Sequence, residues 1–187
     1  SADDAHAQWH QDVLDYRDVL EKMLRFPKPI IAAVSGPALA GGAGLVLAAD
    51  LVLASETARF GFPEPRRGLA AGIVAPLLVF RIGAARAAHM LLTAQEVDAT
   101  AALASGLCHE VVPDEQLWAR ATQLVDLCAQ GAPESLQLTK RMLNETIGES
   151  LMTMLNTGAA ISATARTTEA AAEGLAAFLE KRPPKWL

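Results

Sequence analysis

Two stretches of this chain carry residue types that could do chemistry. The first is Gly41, Gly42 and Gly44, in the run Ser35-Gly36-Pro37-Ala38-Leu39-Ala40-Gly41-Gly42-Ala43-Gly44. A glycine-rich turn that opens a helix points free backbone N–H groups at an anion or a developing oxyanion. Glycine, lacking a Cβ, lets a ligand approach the backbone closely. The run has no Gly-Lys-Ser/Thr and no G-x-G-x-x-G, so a nucleotide phosphate is a poor match. The second is Glu64, between Pro63 and Pro65 in the apolar stretch Phe60-Gly61-Phe62-Pro63-Glu64-Pro65. A carboxylate among apolar neighbours has its pKa raised, which suits general acid–base work. On local sequence alone, tight helix–strand packing accounts for the glycines, and a surface loop accounts for the glutamate.

Other reactive side chains give weaker signals. His6 and His10 stand four apart on one helix, but no third ligand accompanies them. His89 and His109 have no evident partner, and Cys108 reads as a small core residue. Arg66-Arg67 could meet a phosphate or sit in a solvated loop. Met142, Met152 and Met154 read as core or subunit-contact residues.

The elements that would position these residues follow from pattern. Asp4 to Phe26 has helical apolar spacing and is stopped by Pro27 and Pro29. Ile30 to Val34 and Asp50 to Ser55 read as strands buried on both faces, with a very short third strand at Ala58 to Phe60. The loop from Ser35 runs into a helix through Ala49, and Gly61 to Gly72 is loop-rich. Helices are predicted over Ile73 to Arg81 and Ala84 to Leu92, and from an Asp98 cap to Ser105 with Gly106 as its stop. His109 to Val112 reads as a strand. Beyond Glu115 everything is helical, in four segments broken at Gly131-Ala132-Pro133, Gly148 and Thr167-Thr168. The pattern predicts an α/β core over 1–125 and a helical region over 126–187.

Composition narrows the function classes. The 187 residues carry 16 Lys+Arg against 21 Asp+Glu, a formal charge of −5, which argues against non-specific nucleic-acid binding. With 51% hydrophobic residues the chain is globular rather than disordered. Two cysteines are too few for a disulfide scaffold, so a reducing, cytoplasmic location is expected. The uncharged span from Pro29 to Ala49 is long enough for a membrane, but its prolines and glycines fit a strand, a turn and a short helix. No signal peptide and no membrane span are expected.

In their order and spacing, these pieces resemble the enoyl-CoA hydratase/isomerase (crotonase) superfamily. The resemblance is carried by Phe26 to Gly36, Ala38 to Leu45, Ala48-Ala49-Asp50, Ala58 to Glu64 and Gly68-Leu69. It continues through Leu91-Leu92-Thr93, Val97-Asp98-Ala99, Gly106-Leu107, Val111-Val112-Pro113, Glu173-Gly174 and Ala177 to Arg182. The resemblance implies a spiral of ββα units with a C-terminal helical trimerisation region, assembled as a homotrimer or hexamer. It implies acyl-CoA thioester substrates and no cofactor beyond the CoA of the substrate itself. Gly41 would donate its N–H to the thioester oxygen, Glu64 would move protons near the α and β carbons, and Lys181 would reach CoA in a neighbouring subunit.

Three departures bear on the reaction. The hydratases this chain resembles carry a glutamate where it has Gly44, which puts rapid hydration in doubt. Dienoyl-CoA isomerases carry an aspartate where it has Gly72. The resemblance also starts part-way into the family pattern, after the first strands, much of the CoA adenine pocket and the other oxyanion donor. Two readings follow. One is an enzyme with Glu64 as its single acid/base, isomerase-like with slow hydration. The other is a non-catalytic acyl-CoA-binding or assembly subunit of the same fold.

Overall fold

The computed structural model describes residues 2–147 and 149–186. The predicted breaks at Gly131-Ala132-Pro133 and Thr167-Thr168 fall between helices, and Gly148 lies outside the described residues. The first helix, α1 (Ala2–Arg25), buries Val13, Leu20 and Leu24 on one face, the i, i+7, i+11 stripe of an amphipathic helix.

Three strands, β1 (Ile31–Val34), β3 (Leu51–Ser55) and β6 (Glu110–Val112), form one parallel sheet in the order β1-β3-β6. A second sheet holds β2 (Pro37–Leu39), β4 (Arg59–Gly61) and β5 (Val97–Asp98) in the order β2-β4-β5, parallel in its first pair and antiparallel in its second. The chain thus sends one strand to each sheet and then crosses back through a helix. That repeat is the expected ββα spiral. The central strand β3 is largely buried, as predicted, whereas Ile31, Ala32 and Ala33 of β1 are only half-buried because β1 has a partner on one side. Two short strands, β2 and β5, are not foreseen in the sequence. A two- or three-residue strand has no periodicity to read and exists through its pairing with β4.

Five helices of the core follow the predicted order. They are α2 (Gly41–Ala48), α3 (Ala75–Ile82), α4 (Ala84–Thr93), α5 (Ala99–Ser105) and α6 (Leu117–Ala129). The helix α2 is apolar all round, and it packs against β2, α1 and α3, burying Ala43, Gly44, Val46, Leu47 and Ala48. Asp98 caps α5 by accepting the Ala101 N–H at 2.8 Å, and Gly106 ends it in the left-handed conformation at φ 81°.

Residue 126 lies inside α6, which packs on β1 and β3. After it come α7 (Pro133–Arg141), a π-helical turn (Met142–Ile147), α8 (Glu149–Ala165) and α9 (Glu169–Leu179). The helix α8 packs against α1 and α3, and α9 against the 3₁₀ turn Glu64–Arg67. Leu151 and Leu155 of α8 are therefore core residues, while Leu138, Met142, Leu143, Met154 and Ile161 stay exposed. No helix among the described residues is long and apolar enough to cross a membrane.

Candidate active site

Strand pairing brings the two sequence-predicted residues together. In the parallel pair β2–β4, Leu39 stands opposite Gly61, and the Ala40 N–H continues the ladder to the Gly61 carbonyl at 3.0 Å. Parallel strands release their chains at the same edge. Gly41 comes two residues after Leu39 and Glu64 three after Gly61, so both emerge at that edge. They line one cavity of about 250 Å³.

Gly41 is the first residue of α2, and helix geometry gives its N–H no acceptor within its own helix. No side chain caps this helix start, and Ala40 before it holds φ 50° and ψ −122°, a conformation that L-residues rarely adopt. Strain of this kind costs about 1–3 kcal/mol and collects at functional sites. Here it turns the chain sharply from β2 into α2.

Glu64 opens the 3₁₀ turn. The turn is closed by Leu69 N–H to the Glu64 carbonyl at 3.0 Å and by Gly68, which ends it at φ 68°. A Cβ on Gly68 would lie 2.7 Å from the Ala171 nitrogen of α9, so glycine is required both by the backbone angle and by the close helix. Burial pushes the Glu64 carboxyl above the ordinary carboxylate range, opposed by its own backbone N–H and by Arg67. Its Oε2 is buried without a hydrogen-bond partner among the described residues.

Several site residues escaped the sequence reading. Tyr16 of α1 donates its hydroxyl to the Gly41 carbonyl and lines the same cavity. It is the only tyrosine in the chain, three residues after Val13 and four before Leu20, so the helical stripe could have placed it inward. Ser162 reaches the cavity from α8, and Arg166 from the turn just after it. Ser162 accepts the Ile73 N–H at 3.1 Å and so ties α8 to the loop that follows Glu64. Arg67 also lines the cavity, its guanidinium 4.3 Å from the Phe178 ring centroid of α9. Asp12 completes the charged groups of the cavity wall.

Other candidates lie elsewhere. Lys181 is exposed just past α9, at φ 55°, and is not part of this cavity. Beside it Arg182 pairs with Glu173 at 2.6 Å and holds that carboxyl down to about 2. Cys108 packs in the core as expected. The partner of His109 is backbone: Nδ1 accepts the Val52 N–H and its own N–H meets the Val52 carbonyl, both at 2.9 Å. The His6 side chain lies outside the described residues.

Gly72, the second point of departure, touches the α8 backbone. A side chain there would meet Gly158 and come within 2.9 Å of the Ser162 Oγ. An aspartate has no room at this position.

Comparison with known proteins bears on what this cavity serves. The family model for enoyl-CoA hydratase/isomerase matches residues 4–187. The chain belongs to the enoyl-CoA hydratase/isomerase family. It is 40% identical over 168 residues to a Thermus thermophilus protein provisionally named enoyl-CoA hydratase, covering 90% of this chain and 66% of that one. It is 35% identical over 164 residues to the 2,3-dehydroadipyl-CoA hydratase of Escherichia coli, covering 87% of this chain and 64% of that one. The chain thus spans just under two thirds of the length of these relatives. A crystal structure of an enoyl-CoA hydratase from Mycobacterium avium superposes with a TM-score of 0.90 at 31% identity, over 99% of this chain and 73% of that one. Within the enoyl-CoA hydratase/isomerase family, the helix start at Gly41 and the turn at Glu64 are where the sequence resemblance placed the chemistry.

Proposed function

We propose that this chain acts on enoyl-CoA thioesters, with Gly41 holding the thioester oxygen and Glu64 as the single acid/base. The observation that carries the proposal is the Glu64 Oε2: a buried carboxylate oxygen without a partner among the described residues, in the wall of the cavity that the α2 helix start opens. A buried polar atom left unpaired costs about 1–3 kcal/mol, so its retention points to a partner supplied by the substrate.

The chemistry follows from the groups present. The Gly41 N–H, at the positive end of α2, stabilises negative charge on the thioester oxygen. Glu64, as carboxylate, takes a proton from the carbon next to the thioester carbonyl. The electron pair moves onto the thioester oxygen, giving a dienolate when the double bond lies one carbon further out. Glu64, now protonated, returns the proton two carbons along, and the double bond shifts into conjugation. No water and no second acid is consumed. Burial favours the protonated intermediate form of Glu64, which brings its proton affinity closer to that of the working pH.

The test is turnover of trans-2- and 3-enoyl-CoA by the full-length protein, with products separated as isomerised enoyl-CoA or 3-hydroxyacyl-CoA. Isomerisation is expected to dominate. Tight binding of both esters with turnover of neither would replace this reading with that of a non-catalytic acyl-CoA-binding subunit.

We further infer a homotrimer or hexamer built through the helical region 126–187. Leu138, at 64% exposure, and Leu179, at 79%, leave apolar surface on α7 and α9 that a partner would cover. The exposed position of Lys181 fits a role toward CoA bound in a neighbouring subunit. Light scattering that finds only monomer at micromolar concentration would overturn both.

A further inference from the structure

Tyr16 holds a place in the site that the acid/base argument does not use. Its ring lies along the first turn of α2. A Cβ on Gly41 would stand 3.6 Å from the ring. A Cβ on Gly44 would fall well inside contact of the Tyr16 hydroxyl and 2.8 Å from the Val74 Cγ1. The space over Gly44 is therefore filled from α1, by a residue 25 positions before Gly41.

Its state is also fixed. The hydroxyl proton is committed to the Gly41 carbonyl. Burial, and after it the charge of Glu64, raise the phenol pKa far above neutrality. Tyr16 is a neutral group that cannot act as a base. Addition of water to an enoyl thioester forms a C–O bond at the β carbon and a C–H bond at the α carbon, and consumes one water. That water must be held against the β carbon as it gives up a proton and the α carbon gains one, so Glu64 can carry the exchange only where a water has room beside it. Isomerisation consumes no water and needs one carrier.

We propose that Tyr16 is a specificity-determining residue, whose phenol, anchored on the Gly41 carbonyl, fills the space over Gly44 and keeps a held water out of it. The site then moves a proton within its substrate rather than adding water to it. This inference rests on the acyl-CoA reading above.

Two measurements test it on the full chain. The first is the ratio of 3-hydroxyacyl-CoA to isomerised product from enoyl-CoA. Tyr16→Ala should raise the hydrated share by about tenfold or more, since a positioned acid–base group is worth about 10²–10⁴-fold. Tyr16→Phe, which keeps the ring but removes the hydroxyl that holds it on the Gly41 carbonyl and stands over Gly44, should fall between the wild type and Tyr16→Ala on the same scale. Tyr16→Leu empties only the far end of the space, keeps an apolar side chain on α1, and serves if the alanine variant does not fold. The second measurement needs no turnover: a carbon-13 titration of the Glu64 carboxyl in the protein without substrate. Admission of water should bring its pKa down toward the ordinary carboxylate value in Tyr16→Ala or Tyr16→Leu, and less far in Tyr16→Phe. An unchanged product ratio in an active, folded alanine or leucine variant overturns the proposal. So does an unmoved Glu64 titration. A wild-type protein that turns over neither ester sinks the catalytic reading above instead, and the titration then decides by itself whether Tyr16 keeps water from Glu64.

Discussion

The two ends of α2 are built on opposite principles. At its C-terminal end every strong group has a partner. Arg81 reaches from α3 to the Leu47 carbonyl at 2.9 Å and the Ala49 carbonyl at 2.6 Å, satisfying acceptors the helix leaves open. Asp50, next in the chain, accepts the Ile30 N–H and the Lys140 ammonium, each at 2.7 Å, and Lys140 also meets the Lys28 carbonyl at 3.1 Å. Lys140 is only 6% exposed, so this pairing is what allows its charge to be buried. At the N-terminal end no side chain caps the helix, Ala40 is strained, and Glu64 keeps a buried oxygen without a partner among the described residues. One end is satisfied and holds α2, β1 and α7 together. The other stores unmet hydrogen bonding where a ligand would supply it. A buried polar cluster is structural when its partners are internal, and points to function when they are left open.

Four outcomes would break or sharpen this contrast. The largest is expected from Glu64→Gln. Turnover of enoyl-CoA should fall by about 10²–10⁴-fold while ester affinity stays near the wild-type value. Steady-state kinetics beside equilibrium binding will check it, and a variant with near-normal rate moves the chemistry away from the open end of α2.

Lys140→Ala should do the reverse at the closed end. It strands Asp50 and should cost about 3 kcal/mol in urea unfolding. A loss under ~1 kcal/mol would mean that water enters readily and that the cluster is not what fastens α7. Ala40→Gly comes next. Glycine accepts a positive φ without strain, so about 1 kcal/mol of stability should return. A destabilised glycine variant would show that the Ala40 backbone is relaxed in its setting.

The smallest effect is a pH dependence. A carboxyl whose folded-state pKa is raised binds more protons folded than unfolded. Wild-type stability should therefore fall as pH rises from the ordinary carboxylate range through the raised value of Glu64, and recover as pH falls. Thermal midpoints of the wild type should decline across that window relative to Glu64→Gln, with the two converging on its acid side. Parallel curves would mean that Glu64 is solvated in both states.

Much of this arrangement was legible beforehand. The helix α1, the strands β1 and β3 and the capped unit Asp98 to Gly106 rest on local pattern: apolar period, proline stops, an Asx cap and a left-handed glycine. Gly41 and Glu64 stood out as candidates through the family resemblance, since local sequence alone read as packing and a surface loop. Tyr16, Ser162 and Arg166 were not legible, because each reaches the cavity from a segment distant in sequence. The Lys140–Asp50 pair, 90 residues apart, was hidden for the same reason. The region beyond residue 126 read as a helical region after the core; that α8 and α9 close over the site loop through Gly72, Gly68 and Ser162 was not legible in it.

By itself the sequence determined what depends on neighbours along the chain. A cap, a stop, a buried strand and a helix-opening glycine turn are settled by a few adjacent residues and their backbone angles. Parallel pairing of β2 with β4 then decided that Gly41 and Glu64 would share an edge. Packing of α1 across α2 decided that a phenol, rather than a side chain on residue 44, would fill the space between them. Those outcomes belong to tertiary structure because burial and close contact act between surfaces, and which surfaces meet is fixed only when the whole chain has packed.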